Sequence, residues 1–337
     1  MAETMAVVGS GSWGTTLAKI LADSGHGGLL WCRRKQLCQQ INETHFNMEY
    51  LPGAKLPPSV TATVDLRRIC DRCRFILLVV PSHGFRQVAN QMGEFLTGEH
   101  IIVHATKGIE QKTHKRMSEI LREETPVRKI GVLSGPNLAG EVAQGQPAGT
   151  LVASRDDEVF RCAHRALHNH YFRVYGSHDV IGAEVAGSFK NIVAVAAGAV
   201  DGLKLGDNSK ALLLTRGINE MARLGVAMGA KVLTFGGMAG IGDLMATCAS
   251  PLSRNHQVGE RLAKGQKVQQ ILDDMKMVAE GVNSTAAVHS FAERRGLDLP
   301  IVRAVHRVLY EDVKVAHVLE NLMAIETGDE FRGLSPH

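Results

Sequence analysis

Gly9-Ser10-Gly11-Ser12-Trp13-Gly14 follows an apolar run at residues 5–8 and opens residues 15–21, where apolar side chains recur at helical spacing. A GxGxxG between a buried strand and a helix predicts a turn that holds a pyrophosphate. Gly9 permits the tight turn, Gly11 lets the backbone approach the phosphates, and Gly14 allows the helix to pack closely on the strand. The helix N-terminus then faces the negative charge with free N–H groups and the positive end of its dipole. The bland alternative is a glycine turn that merely joins strand to helix.

Working outward, residues 29–32 are expected as the second strand. The run at 75–80 ends at Pro81, that at 101–105 in Thr106-Lys107-Gly108, and that at 130–133 in Ser134-Gly135-Pro136. Each is a short β-rich stretch followed by loop chemistry, and 150–153 and 171–175 read the same way. Strands alternating with helical stretches predict an α/β Rossmann domain, a parallel doubly wound sheet over residues 1–178. Ligands of such sheets lie beyond the carboxyl ends of the strands, so these loops are where binding residues belong. Enzymes that prefer NAD hold the ribose 2′-hydroxyl with an acidic residue about 20 positions past the fingerprint. Arg33 and Arg34 stand there instead, and a guanidinium suits a 2′-phosphate. NADP(H) is therefore expected as a cofactor beside or in place of NAD(H); solvated surface arginines are the alternative.

After His178 the texture changes to helix almost throughout, over 179–202, 208–225, 253–264, 268–275, 284–295 and a pair within 300–320. Residues 179–337 are expected to form a second, all-α domain. A chain of 337 residues exceeds the size at which single cores usually stop growing, which also favours two domains. With 45% hydrophobic and 21% charged residues it is ordinary globular material, neither disordered nor fibrous. A net charge of +4 from 38 basic and 34 acidic residues is too even for a nucleic-acid surface, while an anionic small substrate is compatible with it. Residues 1–4 lack the features of a secretory signal, so a cytoplasmic location is expected. The apolar segment 185–200 is interrupted by Lys190, and its uncharged part is too short for ~30 Å of hydrocarbon; a buried helix is expected, without membrane insertion. Six scattered cysteines suggest free thiols. Cys70-Asp71-Arg72-Cys73 lacks a second ligand pair, so no metal site is expected.

Lys107 follows a strand end and precedes a glycine, so its ammonium can reach a phosphate or a carboxylate, or simply solvent. Lys190 sits among alanine, glycine and valine on a helix, where an unpaired buried ammonium costs several kcal/mol. It either snorkels out or does chemistry, since desolvation lowers a lysine pKa toward the range useful for proton transfer. The stretch 236–243 reads as a flexible glycine loop delivering Asp243. Beyond it, Arg254 offers a fork for a phosphate with Ser253 and Asn255 beside it, unless Ser253 is simply a helix cap. Glu280-Gly281 is another loop carboxylate. His168-Asn169-His170 has little force in a chain with fifteen histidines.

Together these residues resemble the bacterial-type NAD(P)-dependent glycerol-3-phosphate dehydrogenases. The resemblance rests on Gly9 to Thr15, Lys107-Gly108, Ser134-Gly135-Pro136 with Ala139 and Glu141-Val142, Lys190-Asn191, Gly242-Asp243-Leu244, Ser253-Arg254-Asn255 and Glu280-Gly281, in that order and spacing. It implies a helical second domain related to that of 6-phosphogluconate dehydrogenase, a homodimer, and reversible reduction of dihydroxyacetone phosphate to sn-glycerol 3-phosphate for phospholipid synthesis. It implies cofactor contacts from Ser12, Trp13, Arg33, Lys107, Ala139, Arg254, Val278 and Glu280. Substrate contacts fall to Lys107, Gly135, Asn137, Asp243, Ser253, Arg254 and Asn255, and Lys190 becomes the catalytic proton donor and acceptor. Asn137 stands where the family usually carries a serine or threonine hydroxyl; an amide there can still donate to an oxygen. Two rivals remain, a sister enzyme acting on another keto compound and a nucleotide-sensing protein without turnover.

Overall fold

The computed structural model describes residues 4–251, 253–275, 279–326, 328–331 and 333–334. The chain divides into two compact units, Met1–Thr106 with Met117–Val180, and Lys107–Arg116 with Ile181–His337. In the first unit the strands are β1 (Thr4–Val8), β2 (Gly27–Trp31), β3 (Phe46–Asn47), β4 (Leu51–Lys55), β5 (Val60–Thr63), β6 (Phe75–Leu78), β7 (Ile101–His104), β8 (Lys129–Ser134), β9 (Ala148–Ser154) and β10 (Phe172–Ser177). The helices between them are α1 (Ser12–Asp23), α2 (Lys35–Thr44), α3 (Leu66–Arg72), α4 (Ser82–Gly93), α5 (Met117–Glu124), α6 (Ala139–Ala143) and α7 (Asp157–Leu167).

Among the described residues β3 and β4 pair as a hairpin and the other strands form one sheet in the order β10-β9-β8-β7-β6-β1-β2-β5. From β5 to β8 this is the parallel Rossmann order, which reverses direction between β1 and β6. Beyond it β9 runs antiparallel to β8, and β10 parallel to β9. Both faces are buried, as alternation along β1 requires. Met5 and Val7 pack with Leu17 and Leu21 of α1 and Val159 and Ala163 of α7. Ala6 and Val8 face the opposite layer, with Phe85 and Met92 of α4 and Ile120 of α5. The sequence reading did not anticipate β5 or the β3–β4 hairpin. Val-Thr-Ala-Thr behind Pro57-Pro58 alternates over only four residues with small apolar side chains, and β5 becomes a strand by pairing with β2.

The second unit carries α8 (Val180–Gly202), α9 (Asp207–Ala227), α10 (Asp243–Ala249), α11 (Arg254–Ala263), α12 (Val268–Asp274), α13 (Glu280–Arg295), α14 (Pro300–Tyr310) and α15 (Val315–Met323). α8 has the length and hydropathy to cross a membrane, but 89% of its apolar window is buried inside the protein, as the sequence led us to expect. It meets α11 backbone to backbone: a Cβ on Gly198 would lie 1.9 Å from the His256 carbonyl oxygen, and one on Gly259 1.8 Å from that of Val195. Glycine at both positions lets the two helices cross in direct contact. An Ile109–Arg116 bridge closes residues 107–116 on themselves, and a buried ion pair, Arg116 Nη1 to Glu184 Oε2 at 2.6 Å, ties them to this unit.

The expectation of a flexible loop before Asp243 needs correcting. Val232–Gly236 is a 3₁₀ turn and Met238–Gly242 a π-helical turn that feeds α10. The glycines are there for close packing: a Cβ on Gly225 would strike the buried Phe235 ring at 2.1 Å, and one on Gly240 the Phe235 carbonyl oxygen at 2.0 Å. Phe235 pins the turn from both sides.

Candidate active site

In the first unit the glycine turn has the shape that a dinucleotide pyrophosphate needs. Gly9 adopts φ 122°, and a side chain on it would run into the Val79 carbonyl oxygen at 2.3 Å. A Cβ on Gly14 would lie 1.9 Å from the Gly9 carbonyl oxygen, so only glycine brings α1 against the turn. Gly11, in contrast, faces open space, and α1 starts after it without a side-chain cap. The first N–H groups of α1 are thereby left for a ligand anion. Ser12 Oγ donates to the Tyr50 carbonyl at 2.6 Å, and Trp13 packs on the core beside Phe172. Ala139 opens α6, and its carbonyl accepts from Thr16 Oγ1 at 3.1 Å, tying that helix to α1.

Arg33 and Arg34 both follow β2 but differ in their commitments. Arg34 pairs with Glu49 and reaches the Tyr50 hydroxyl at 3.4 Å. Arg33 is exposed and makes no ion pair among the described residues, which leaves its guanidinium available. At the end of β8, Gly135 packs so closely that a Cβ would sit 3.1 Å from Thr150 Cα. Asn137 Nδ2 donates to the carbonyls of Pro136 and Gly149 at 3.0 and 2.9 Å, while its buried Oδ1 has no partner among the described residues. The expected amide donor is thus spent on the backbone, and Asn137 is an acceptor.

The second unit gathers a charged cluster. Asp243, at the start of α10 and 1% exposed, binds Lys190 through Oδ1 and Lys107 through Oδ2, the latter at 2.5 Å. Lys190 also donates to Thr247 Oγ1 at 2.6 Å. The sequence reading missed Thr247; its signal is the four-residue spacing from Asp243, which places both on one face of α10. Burial pulls the Lys190 ammonium down to about 7, with the Lys107 charge adding to that pull and Asp243 opposing it. A lysine whose pKa is lowered in this way has the chemistry a proton donor or acceptor needs near neutral pH. Ser253 is an N-cap, its Oγ accepting from His256 N at 3.4 Å, and Arg254 takes the first, exposed position of α11. Asn255 Nδ2 donates to Asn191 Oδ1 at 3.0 Å. Glu280 opens α13 close enough for its carboxylate to act on the Arg254 charge. Val278 lies outside the described residues. Cys70 and Cys73 are buried and their thiols pushed up by burial to about 12 and about 11. His168 serves structure, Nδ1 accepting from Val174 N at 3.2 Å.

Comparison with known proteins decides what this assembly is. Residues 4–160 match the family described as NAD-dependent glycerol-3-phosphate dehydrogenase N-terminus, and residues 179–320 its C-terminus. The chain belongs to this family. A glycerol-3-phosphate dehydrogenase (NAD(P)+) from Exiguobacterium sp. is 45% identical, over 95% of this chain and 94% of that one. One from Enterococcus faecalis is 43% identical over 98% and 99%. The solved glycerol-3-phosphate dehydrogenase from Coxiella burnetii superposes with a TM-score of 0.92 at 36% identity, over 96% of this chain and 99% of that one. A ketopantoate reductase from Ralstonia eutropha, at 18% identity and a TM-score of 0.60, shares the fold alone. Family membership makes the chain an NAD(P)-dependent oxidoreductase, with the Rossmann unit and helical unit read from the sequence.

Proposed function

We propose that this member of the glycerol-3-phosphate dehydrogenases reduces dihydroxyacetone phosphate to sn-glycerol 3-phosphate with Lys190 as proton donor, and runs the reverse reaction with Lys190 as base. The observation that carries the reading is the buried Lys190, held between Asp243 and Thr247 with its pKa brought to neutrality. Gly9, Gly11, Ser12, Trp13, Gly14 and Ala139 would hold the cofactor, with Arg33 at a 2′-phosphate; Lys107, Arg254, Val278 and Glu280 complete that set by family resemblance. NAD(P)H, when bound, supplies the hydride for the C2 carbonyl. Negative charge then builds on the carbonyl oxygen, and the Lys190 ammonium stabilises it and gives up its proton. Asp243 binds both Lys190 and Lys107, which would place a second cation near the growing negative charge. Arg254, Ser253 and Asn255 are assigned to the substrate phosphate, and Gly135 and Asn137 to its remaining oxygens.

We further propose, from the family resemblance alone, that the enzyme is a cytoplasmic homodimer whose product enters phospholipid synthesis. The test is oxidation of NADPH and NADH by purified protein with dihydroxyacetone phosphate, repeated with Lys190→Ala. Turnover that falls by at least about a hundredfold in the variant, with NADPH binding retained, is the expected result. Folded protein that binds NADPH but turns over only other keto compounds would move the chain to a sister activity.

A further inference from the structure

The three residues that follow Lys190, Arg254 and Glu280 in sequence are joined by hydrogen bonds inside the helical unit. Gly281 N donates to Asn255 Oδ1 at 2.9 Å, Asn255 Nδ2 donates to Asn191 Oδ1 at 3.0 Å, and Asn191 Nδ2 donates to the Gly187 carbonyl at 3.4 Å. Asn191 and Asn255 are 6% and 7% exposed, so water does not substitute for these bonds. Both ends of the chain are backbone groups whose roles chemistry fixes: an N–H can only donate and a carbonyl can only accept. Their fixed roles set the direction of every bond between them. Neither amide can flip without leaving a buried donor facing a donor, or an acceptor facing an acceptor. Gly281 is also the residue that fits, because a Cβ there would lie 2.6 Å from the Asn191 carbonyl oxygen and 2.9 Å from Asn255 Oδ1.

We propose that Asn191 and Gly281 are positioning residues: they lock the Asn255 amide with its Nδ2 side fixed as donor, so that Asn255 presents an N–H to the acceptor oxygens of the substrate phosphate. This rests on the reading that Lys190 and the start of α11 hold the substrate. An amide amidst neutral partners has two flip states, and only one of them complements a phosphate, which has acceptors alone at its ionised oxygens. The relay removes the other state. Asn191 acts through Asn255, not on the substrate, and the chain also binds α8, α11 and α13 to one another beside Lys190, Arg254 and Glu280.

A double-mutant cycle on full-length enzyme tests this, with KM for dihydroxyacetone phosphate, KM for NADPH and kcat as readouts. Asn255→Ala and Asn191→Ala should each raise KM for dihydroxyacetone phosphate by roughly tenfold or more, the worth of a hydrogen bond to a charged group, with KM for NADPH changed by less than about threefold. Because Asn191 works through Asn255, the double variant should be no worse than Asn255→Ala. If Asn191→Ala does not fold, Asn191→Ser, whose hydroxyl is too short to replace the amide, takes its place with the same expectation. Additive effects, or an unchanged KM in the Asn191 variant, would overturn the relay while turnover lost in Lys190→Ala leaves the site reading standing. Turnover retained in Lys190→Ala would overturn the site reading and the relay with it.

Discussion

Lys190 is the residue whose surroundings pull hardest against its ordinary chemistry. Burial and the neighbouring Lys107 both disfavour its charge, and one shared carboxylate does not compensate, so its pKa falls from 10.5 to about 7. A donor must hold its proton before it can give it, so the rate of carbonyl reduction should fall as pH rises through neutrality, and the rate of alcohol oxidation should rise. Rate profiles in both directions between about pH 6 and pH 9 check this, and a flat reductive profile would exclude Lys190 as the titrating donor. At the cofactor end, Arg33→Ala should raise KM for NADPH by roughly tenfold and leave NADH nearly unchanged, while Arg34→Ala should do less because Glu49 already holds that guanidinium. Parallel kinetics with both cofactors decide it; equal losses for the two cofactors would remove Arg33 from a 2′-phosphate. At this scale the sequence was informative where chemistry is unusual. A lysine among alanines and a glycine turn after a strand announce themselves. The roles of Asn137 and Thr247 did not, because what an amide or a hydroxyl does depends on which carbonyl or ammonium the fold brings to it.

At the scale of elements, the periodic segments were legible and the pieces stabilised by partners were not. β1 and α8 carry their burial in their own composition, whereas β5 is a strand because β2 lies beside it, and the π-helical turn before Asp243 exists because Phe235 fills the space behind it. Glu220 shows how one element can depend on another. It is a buried carboxyl on α9 that accepts from Ile301 N at 2.7 Å and Val302 N at 3.3 Å, closing the N-terminus of α14. Burial raises its pKa from 4.5 to about 7, with those two N–H groups opposing. The folded protein therefore keeps a proton that the unfolded chain releases between those values. Its stabilising contribution is present in full below the unfolded pKa and is lost as pH rises toward 7. Glu220→Gln keeps an acceptor oxygen and removes the titration. Relative to the parent, the variant should gain stability between about pH 5 and pH 8, by at most about 3 kcal/mol, in denaturant or thermal unfolding. A parallel pH dependence in the two proteins would show that Glu220 does not titrate in this range.

At the scale of the whole molecule, the path of the chain matters as much as its folds. It passes from one unit to the other at residues 106–107, 116–117 and 180–181, so neither unit is a single continuous segment. The short excursion at 107–116 brings the helical unit two cations: Lys107 to Asp243 and Arg116 to Glu184. Nothing in the local sequence signals this, because Arg116 and Glu184 are 68 positions apart and each looks like a surface charge when read alone. Asp243 and Glu184 are 1% and 5% exposed, and taking away one member of a buried ion pair costs about 3–5 kcal/mol, a large share of the roughly 5–15 kcal/mol that holds a protein folded. Residues 179–337 expressed alone retain every helix from α8 onward but lack both cations. This fragment should therefore show helical circular dichroism without a cooperative unfolding transition, and Arg116→Met in the full chain should lower stability by roughly 3 kcal/mol with the fold kept. A fragment that melts sharply at the temperature of the intact protein would mean that the helical unit is complete without its borrowed segment, and that residues 107–116 serve the reaction alone.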